Sequence, residues 1–184
     1  MKLTQTILLL LLSLHFSCST VATQSSSEPR NAATIDLTQV KNDKVQVSLR
    51  PPTIKQGEAI YNMPKIVPGT YSVSDFGKFV SEFQALDKQG KPLPVERIDT
   101  NRWRISQAQN LDRVTYWVDD TFDAARRQDV VFEPGGTNIE EGQNFLLNAF
   151  GFVGYFDGLK QVPYELTVTK PAGFYGSTAL QATS

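Results

Sequence analysis

Asp119, Asp120, Asp123, Glu133, Glu140 and Glu141 fall within one stretch of the chain and are its first candidates for chemistry. Two carboxylates facing each other across a cleft can act as acid and base, as in glycoside hydrolysis. The same oxygens can hold calcium when they recur at Asp-x-Asp spacing, which this stretch lacks. Solvated loop charges are the commoner role for such residues. Nucleophilic triads need an imidazole. The only histidine is His15 and the only cysteine is Cys18, both near the start of the chain. Gly135-Gly136-Thr137 is not followed by the lysine of a phosphate loop, so a mobile turn is expected there. Trp103 and Trp117 could stack on a sugar, but packing in a core is the simpler expectation for Trp103. Trp117 is out of phase with its apolar neighbours, so it is expected at the surface or in a second layer.

The elements that would position these groups begin after an export leader. Lys2 supplies a positive start, and Ile7 to Leu14 an apolar run too short to span a bilayer. Residues 1–22 therefore read as a signal peptide ending at Thr20-Val21-Ala22. The alternative is a lipoprotein leader in which Cys18 is lipidated and becomes the new amino terminus, ahead of the Ser-rich STVATQSSS. His15 and Phe16 depart from the usual lipobox, so both alternatives stand. Either one predicts export to the periplasm or cell envelope. Residues 23–33 are expected to be a flexible tether, and residues 34–184 one domain. Lys and Arg number 18 against 19 Asp and Glu, which offers no electrostatic case for nucleic acid. Membrane contact is expected only through the lipid anchor.

Alternation then takes over. Val45, Val47 and Leu49 oppose Gln46 and Ser48; Val114, Tyr116 and Val118 oppose Thr115 and Trp117; Tyr164, Leu166 and Val168 oppose Glu165, Thr167 and Thr169. Short strands lie at Ile35–Leu37, Glu58–Met63, Glu82–Asp87, Val95–Ile98 and Arg102–Ile105, separated by polar turns such as Lys88-Gln89-Gly90-Lys91. The pattern predicts an all-β fold: an antiparallel β-sandwich with one short helical corner and a long irregular loop over residues 124–144.

The corner lies in IVPGTYSVSDFGKFV, residues 66–80. Pro68-Gly69 suits a type II reversal. Tyr71, Val73, Phe76, Phe79 and Val80 gather apolar bulk, and Ser74 or Asp75 is placed to cap a helical turn. The stretch continues into an Asp87, Gly90, Leu93, Pro94 hairpin and a strand centred on Trp103. With these motifs the chain resembles, from about Ile35 to Leu180, the amino-terminal domain of the glycyl aminopeptidases, family 61 of the zinc metallopeptidases.

The resemblance implies a supporting role. In that family a His-Glu-x-x-His helix in a separate catalytic domain holds the zinc, and a PDZ domain lies behind it. Neither is found in this sequence, so the chain alone is expected to be non-catalytic, with no cofactor and no metal. Its implied partner is a peptidase catalytic domain in a longer or neighbouring chain, whose substrate cleft it would help wall. Residues 132–158 and the closing FYGSTAL resemble the segments that approach the catalytic half. The cleft-facing candidates are accordingly Gly135, Gly136, Thr137, Asn138, Glu140, Asn148, Phe150, Phe152 and Tyr155. The alternative is an exported carbohydrate- or peptide-binding sandwich.

Overall fold

The computed structural model describes residues 28–122 and 131–182; the leader with His15 and Cys18, and Asp123, lie outside the described residues. The strands are β1 (Asn31–Asp36), β2 (Lys44–Arg50), β3 (Glu58–Asn62), β4 (Val80–Asp87), β5 (Val95–Arg97), β6 (Arg102–Ser106), β7 (Leu111–Asp119), β8 (Asn138–Glu140), β9 (Asn144–Leu146), β10 (Tyr155–Phe156) and β11 (Tyr164–Thr169), with one short helix, α1 (Ala149–Phe152). They form a five-stranded sheet in the order β11-β1-β2-β7-β4, a four-stranded sheet β10-β3-β6-β5 and the small hairpin β8-β9. The fold is the expected all-β sandwich.

The period-two pattern sets the register. Val45, Val47 and Leu49 of β2 and Val114, Tyr116 and Val118 of β7 are all buried, and Val47 lies opposite Tyr116. A slip of one residue would turn all six towards solvent, at about 1.5–3 kcal/mol for each large apolar side chain. The second sheet answers with Tyr61, Trp103, Ile105 and Phe156, all buried. Phe83 of β4 reaches across to stack on Trp103, ring centroids 4.8 Å apart and nearly parallel.

Two departures from simple antiparallel order matter below. β1 starts at Asn31, so Asn31, Ala32 and Ala33, read from the sequence as the end of the tether, belong to the sheet. The last strand, β11, pairs with β1 in parallel, a relation that alternation alone does not encode.

The corner at residues 76–79 is a single 3-10 turn that buries Phe76 and Phe79. Neither Ser74 nor Asp75 caps it. Asp75 sits in the left-handed region (φ 49°), and its carboxylate accepts instead from the Asn101 amide at 2.7 Å. The Asn101 side-chain oxygen in turn accepts from the Gly77 N–H at 2.9 Å. A Cβ at Gly77 would lie 2.1 Å from the Thr100 carbonyl oxygen, so only glycine allows this approach. Tyr71 and Val73, expected in the apolar cluster, are exposed. The Pro-Gly reversal leaves them outside the turn that enters the core.

Candidate functional site

The site is built on three tyrosines. Tyr61 of β3 and Tyr116 of β7 come from opposite sheets, and their buried hydroxyls meet at 2.7 Å. Tyr116 donates to the Phe152 carbonyl at 2.6 Å, so its single proton is used there and Tyr61 is the donor between the pair. Tyr61 also accepts from the Gly154 N–H at 2.9 Å, and Tyr164 donates to the Gly154 carbonyl at 3.2 Å. All three tyrosine hydroxyls have partners. Burial pushes the Tyr61 and Tyr116 hydroxyls well above the usual tyrosine range, and pushes Tyr164 up to about 12.

The network fixes residues 148–156 against the core. Asn148 caps α1, its side-chain oxygen accepting from the Phe150 N–H at 3.1 Å. Within this one turn Phe152 points into the core at 0% exposure, while Phe150 points out at 42%. A Cβ at Gly154 would sit 2.3 Å from the Asn62 carbonyl oxygen, so the chain passes β3 at glycine's closest approach.

Outside this segment lies an open groove of about 1160 Å³. Its walls are Ile66 and Pro68, Phe150 and Val153 of the α1 region, and Leu166 and Val168 of β11. Lys65, Lys160, Arg30 and Glu165 stand at its rim, and Thr178 to Ala182 line one side. Arg30 and Glu165 pair at 2.8 Å. The Lys160 ammonium rests 5.2 Å from the Tyr155 ring centroid.

The structure divides the nine sequence candidates. Phe150 and Tyr155 line the groove. Gly135, Gly136, Thr137 and Phe152 are buried and cannot present side chains to a cleft. Much of the expected irregular loop is in fact ordered, as a 3-10 turn at Glu133–Gly135 followed by the β8-β9 hairpin. Asp120 and Thr121 account for this. The buried Asp120 carboxylate accepts from the N–H groups of Phe122 and Ile139, and the Thr121 hydroxyl accepts from the Thr137 N–H at 2.7 Å. Gly136 packs so closely on Phe122 that a Cβ would lie 2.6 Å from the ring. Asn138 and Glu140 stay on the hairpin's outer side, each hydrogen-bonded to Asn144. Asn148 serves as the helix cap.

Two of the carboxylates considered for catalysis have separate structural tasks. Asp119 pairs with Lys44 at 2.8 Å, and Asp120 anchors the hairpin. Among the described residues no three His, Cys, Asp or Glu side chains gather where they could hold a metal ion. Trp103 is buried, and Trp117 is half-buried with the Lys41 ammonium 5.7 Å from its ring.

Ile66, Tyr164 and Val168 were missed as site residues by sequence reasoning. Their signal was present: Tyr164, Leu166 and Val168 alternate perfectly, yet Tyr164 and Val168 are 40% and 41% exposed.

The fold and groove define a β-sandwich domain that presents an apolar face beside one edge of its larger sheet. The family model "Peptidase M61 N-terminal domain" matches residues 32–184, and the chain belongs to that family. A crystal structure of an aminopeptidase N family protein from Idiomarina loihiensis is similar, with a TM-score of 0.63 and 24% identity, and shows the same fold. The match covers 77% of this chain and 22% of that one. No curated protein matches the chain.

Proposed function

We propose that this chain is the non-catalytic amino-terminal domain of a glycyl-aminopeptidase-like metallopeptidase. It packs against a catalytic domain carried elsewhere and helps wall that domain's substrate cleft. The observation that carries the reading is the apolar face around the groove, where Ile66, Phe150, Tyr164 and Val168 are each 40–48% exposed. Contiguous apolar surface of this kind marks an interface. Membership of a family of peptidase amino-terminal domains supports the kind of partner. Phe150 and Tyr155 are the contact residues in this reading, and Asn138 and Glu140 of the hairpin are further candidates.

The test is titration with a separately produced catalytic domain of a family 61 peptidase. A complex is expected, and Phe150→Glu should weaken it about thirtyfold, the loss typical of a central aromatic anchor. The variant's melting temperature should stay close to that of the parent, because Phe150 is outside the core. The chain alone should not hydrolyse Gly- or Ala-terminated peptides. Absence of any complex, or chelator-sensitive turnover that follows the chain through purification, would overturn the proposal.

We further propose export to the cell envelope, supported by Lys2 and the Ile7–Leu14 run, with Cys18 as the acyl-anchor candidate. Stable anchoring needs more than one acyl chain, as a lipoprotein provides. Cys18→Ser should move the protein from the membrane to the soluble fraction. Unchanged fractionation would favour cleavage after Ala22.

A further inference from the structure

The edges of the sheets are not alike. β10 is two residues long and β5 three, too short to recruit another strand. β4 is broken by a register shift between Ser81 and Gln84, where Glu82 takes φ 51°, and Pro92 bridges to Leu86 beside it. Bulges, short strands and proline are the ordinary protections of an edge. β11 has none of them. Its six residues, Tyr164-Glu165-Leu166-Thr167-Val168-Thr169, contain no proline, no lysine and no bulge, and among the described residues they pair only with β1, on one side.

The ladder tells which groups are free. Asn31 N–H donates to the Pro163 carbonyl and Leu37 N–H to the Thr169 carbonyl, both at 2.8 Å. In a parallel pair the residues bonding to the neighbour alternate. Glu165, Thr167 and Thr169 therefore turn their backbone groups towards β1, and Tyr164, Leu166 and Val168 turn theirs outward. The side chains of these same three residues line the apolar groove.

The charge of the rim is one-sided. The titratable groups facing the groove are Arg30, Lys65, Lys160, Glu165, Tyr155 and Tyr164. The lone carboxylate, Glu165, is paired with Arg30, and no described carboxylate lies within ion-pair distance of Lys65 or Lys160.

We propose that β11 accepts an extended acidic peptide segment as a sixth strand of the larger sheet. The outward amides and carbonyls of Tyr164, Leu166 and Val168 bind its backbone. Its alternate apolar side chains enter the groove beside Phe150 and Ile66, and its carboxylates meet Lys65 and Lys160. From the proposed function this takes only that the groove is an interface. Strand addition and partnership with a catalytic domain are read by different titrations, so either can fail alone.

The probes are an eight-residue peptide alternating valine and glutamate, and its valine–lysine counterpart, each titrated into the isotope-labelled chain. The glutamate peptide should shift the amide signals of Tyr164, Leu166 and Val168 and slow their hydrogen exchange. It should bind about tenfold tighter than the lysine peptide at low salt, as expected for two exposed charge contacts. Lys65→Glu with Lys160→Glu should reverse that order without touching the backbone. Leu166→Pro removes an outward N–H, a kind of edge-strand position where proline is tolerated, and should abolish binding while the chain stays folded. Should Leu166→Pro fail to fold, the charge reversal still decides. Equal affinity for both peptides, shifts confined to residues away from β11, or a Leu166→Pro chain that binds like the parent would overturn the proposal. So would protection of the β11 amides that rises with protein concentration alone, which would assign the edge to a second copy of the chain.

Discussion

Replacing Trp103 by alanine is expected to remove about 3–5 kcal/mol of stability, the range for deleting a large buried aromatic. That is a large share of the 5–15 kcal/mol typical of a whole domain, so the variant should unfold at a much lower denaturant concentration, about a third to a half lower. The indole is 3% exposed and begins a column of near-parallel rings that joins the two sheets. Phe83 stacks on it at 4.8 Å, and Tyr116 stacks on Phe83 at 5.8 Å. The Arg97 guanidinium lies 5.0 Å from the indole and also donates to the carbonyls of Gly77 and Thr100. Truncation thus opens a cavity and loosens the side chain that holds the helical corner. A denaturation midpoint equal to that of the parent would mean that the column does not carry the sandwich.

A second large effect is expected in alkali. Tyr61 and Tyr116 are neutral in the fold, and burial keeps their hydroxyls protonated well above the ordinary range. In the unfolded chain both ionise near pH 10. Below that pH their contribution is complete. Above it the unfolded chain releases protons that the folded chain keeps, so stability falls as pH rises towards the folded values. The slope is about 1.4 kcal/mol per pH unit for each buried tyrosine, or about 2.7 for the two, to which the part-exposed Tyr164 adds a smaller share. Denaturant titrations should show little change from this source at about pH 9 and the slope developing above about pH 10, towards its full value near pH 11.5. Tyr116→Phe should roughly halve it, while costing about 1–3 kcal/mol at neutral pH through the hydrogen bonds it leaves unmade. A flat stability profile across that range would overturn the account.

These effects also mark how far the sequence could be read. The strands were legible wherever one face is buried, because Val45-Val47-Leu49 and Val114-Tyr116-Val118 state their period directly. The Asp87–Gly90 hairpin was legible for a local reason as well. The Asp87 carboxylate accepts from the N–H groups of Gln89 and Lys91, and Gly90 takes φ 77°. Partnerships between distant residues were not legible. Nothing in the spacing of Tyr61, Tyr116 and Gly154 states that two hydroxyls and an amide meet. Glycine was the most ambiguous letter. Gly135-Gly136 read as a mobile turn, yet the absent side chain of Gly136 is what lets Thr121 and Phe122 close over it. Phe150 and Phe152 look equivalent in the sequence, and only the geometry of one helical turn separates a surface contact from a core residue.

The parallel pairing of β1 with β11 has a bearing on how the chain comes together. Among the described strands β1 is the first to be synthesised, and it takes as its neighbour the last of them. Its antiparallel partner, β2, is available almost at once through the short Asn42-Asp43 turn, but its other flank stays open until Thr169 has emerged. Contacts so far apart along the chain are paid for in search time, so assembly belongs to the slow regime of β-rich topologies. A growing chain that stalls after β10 would already hold both tryptophans and still expose β1 as a sticky margin.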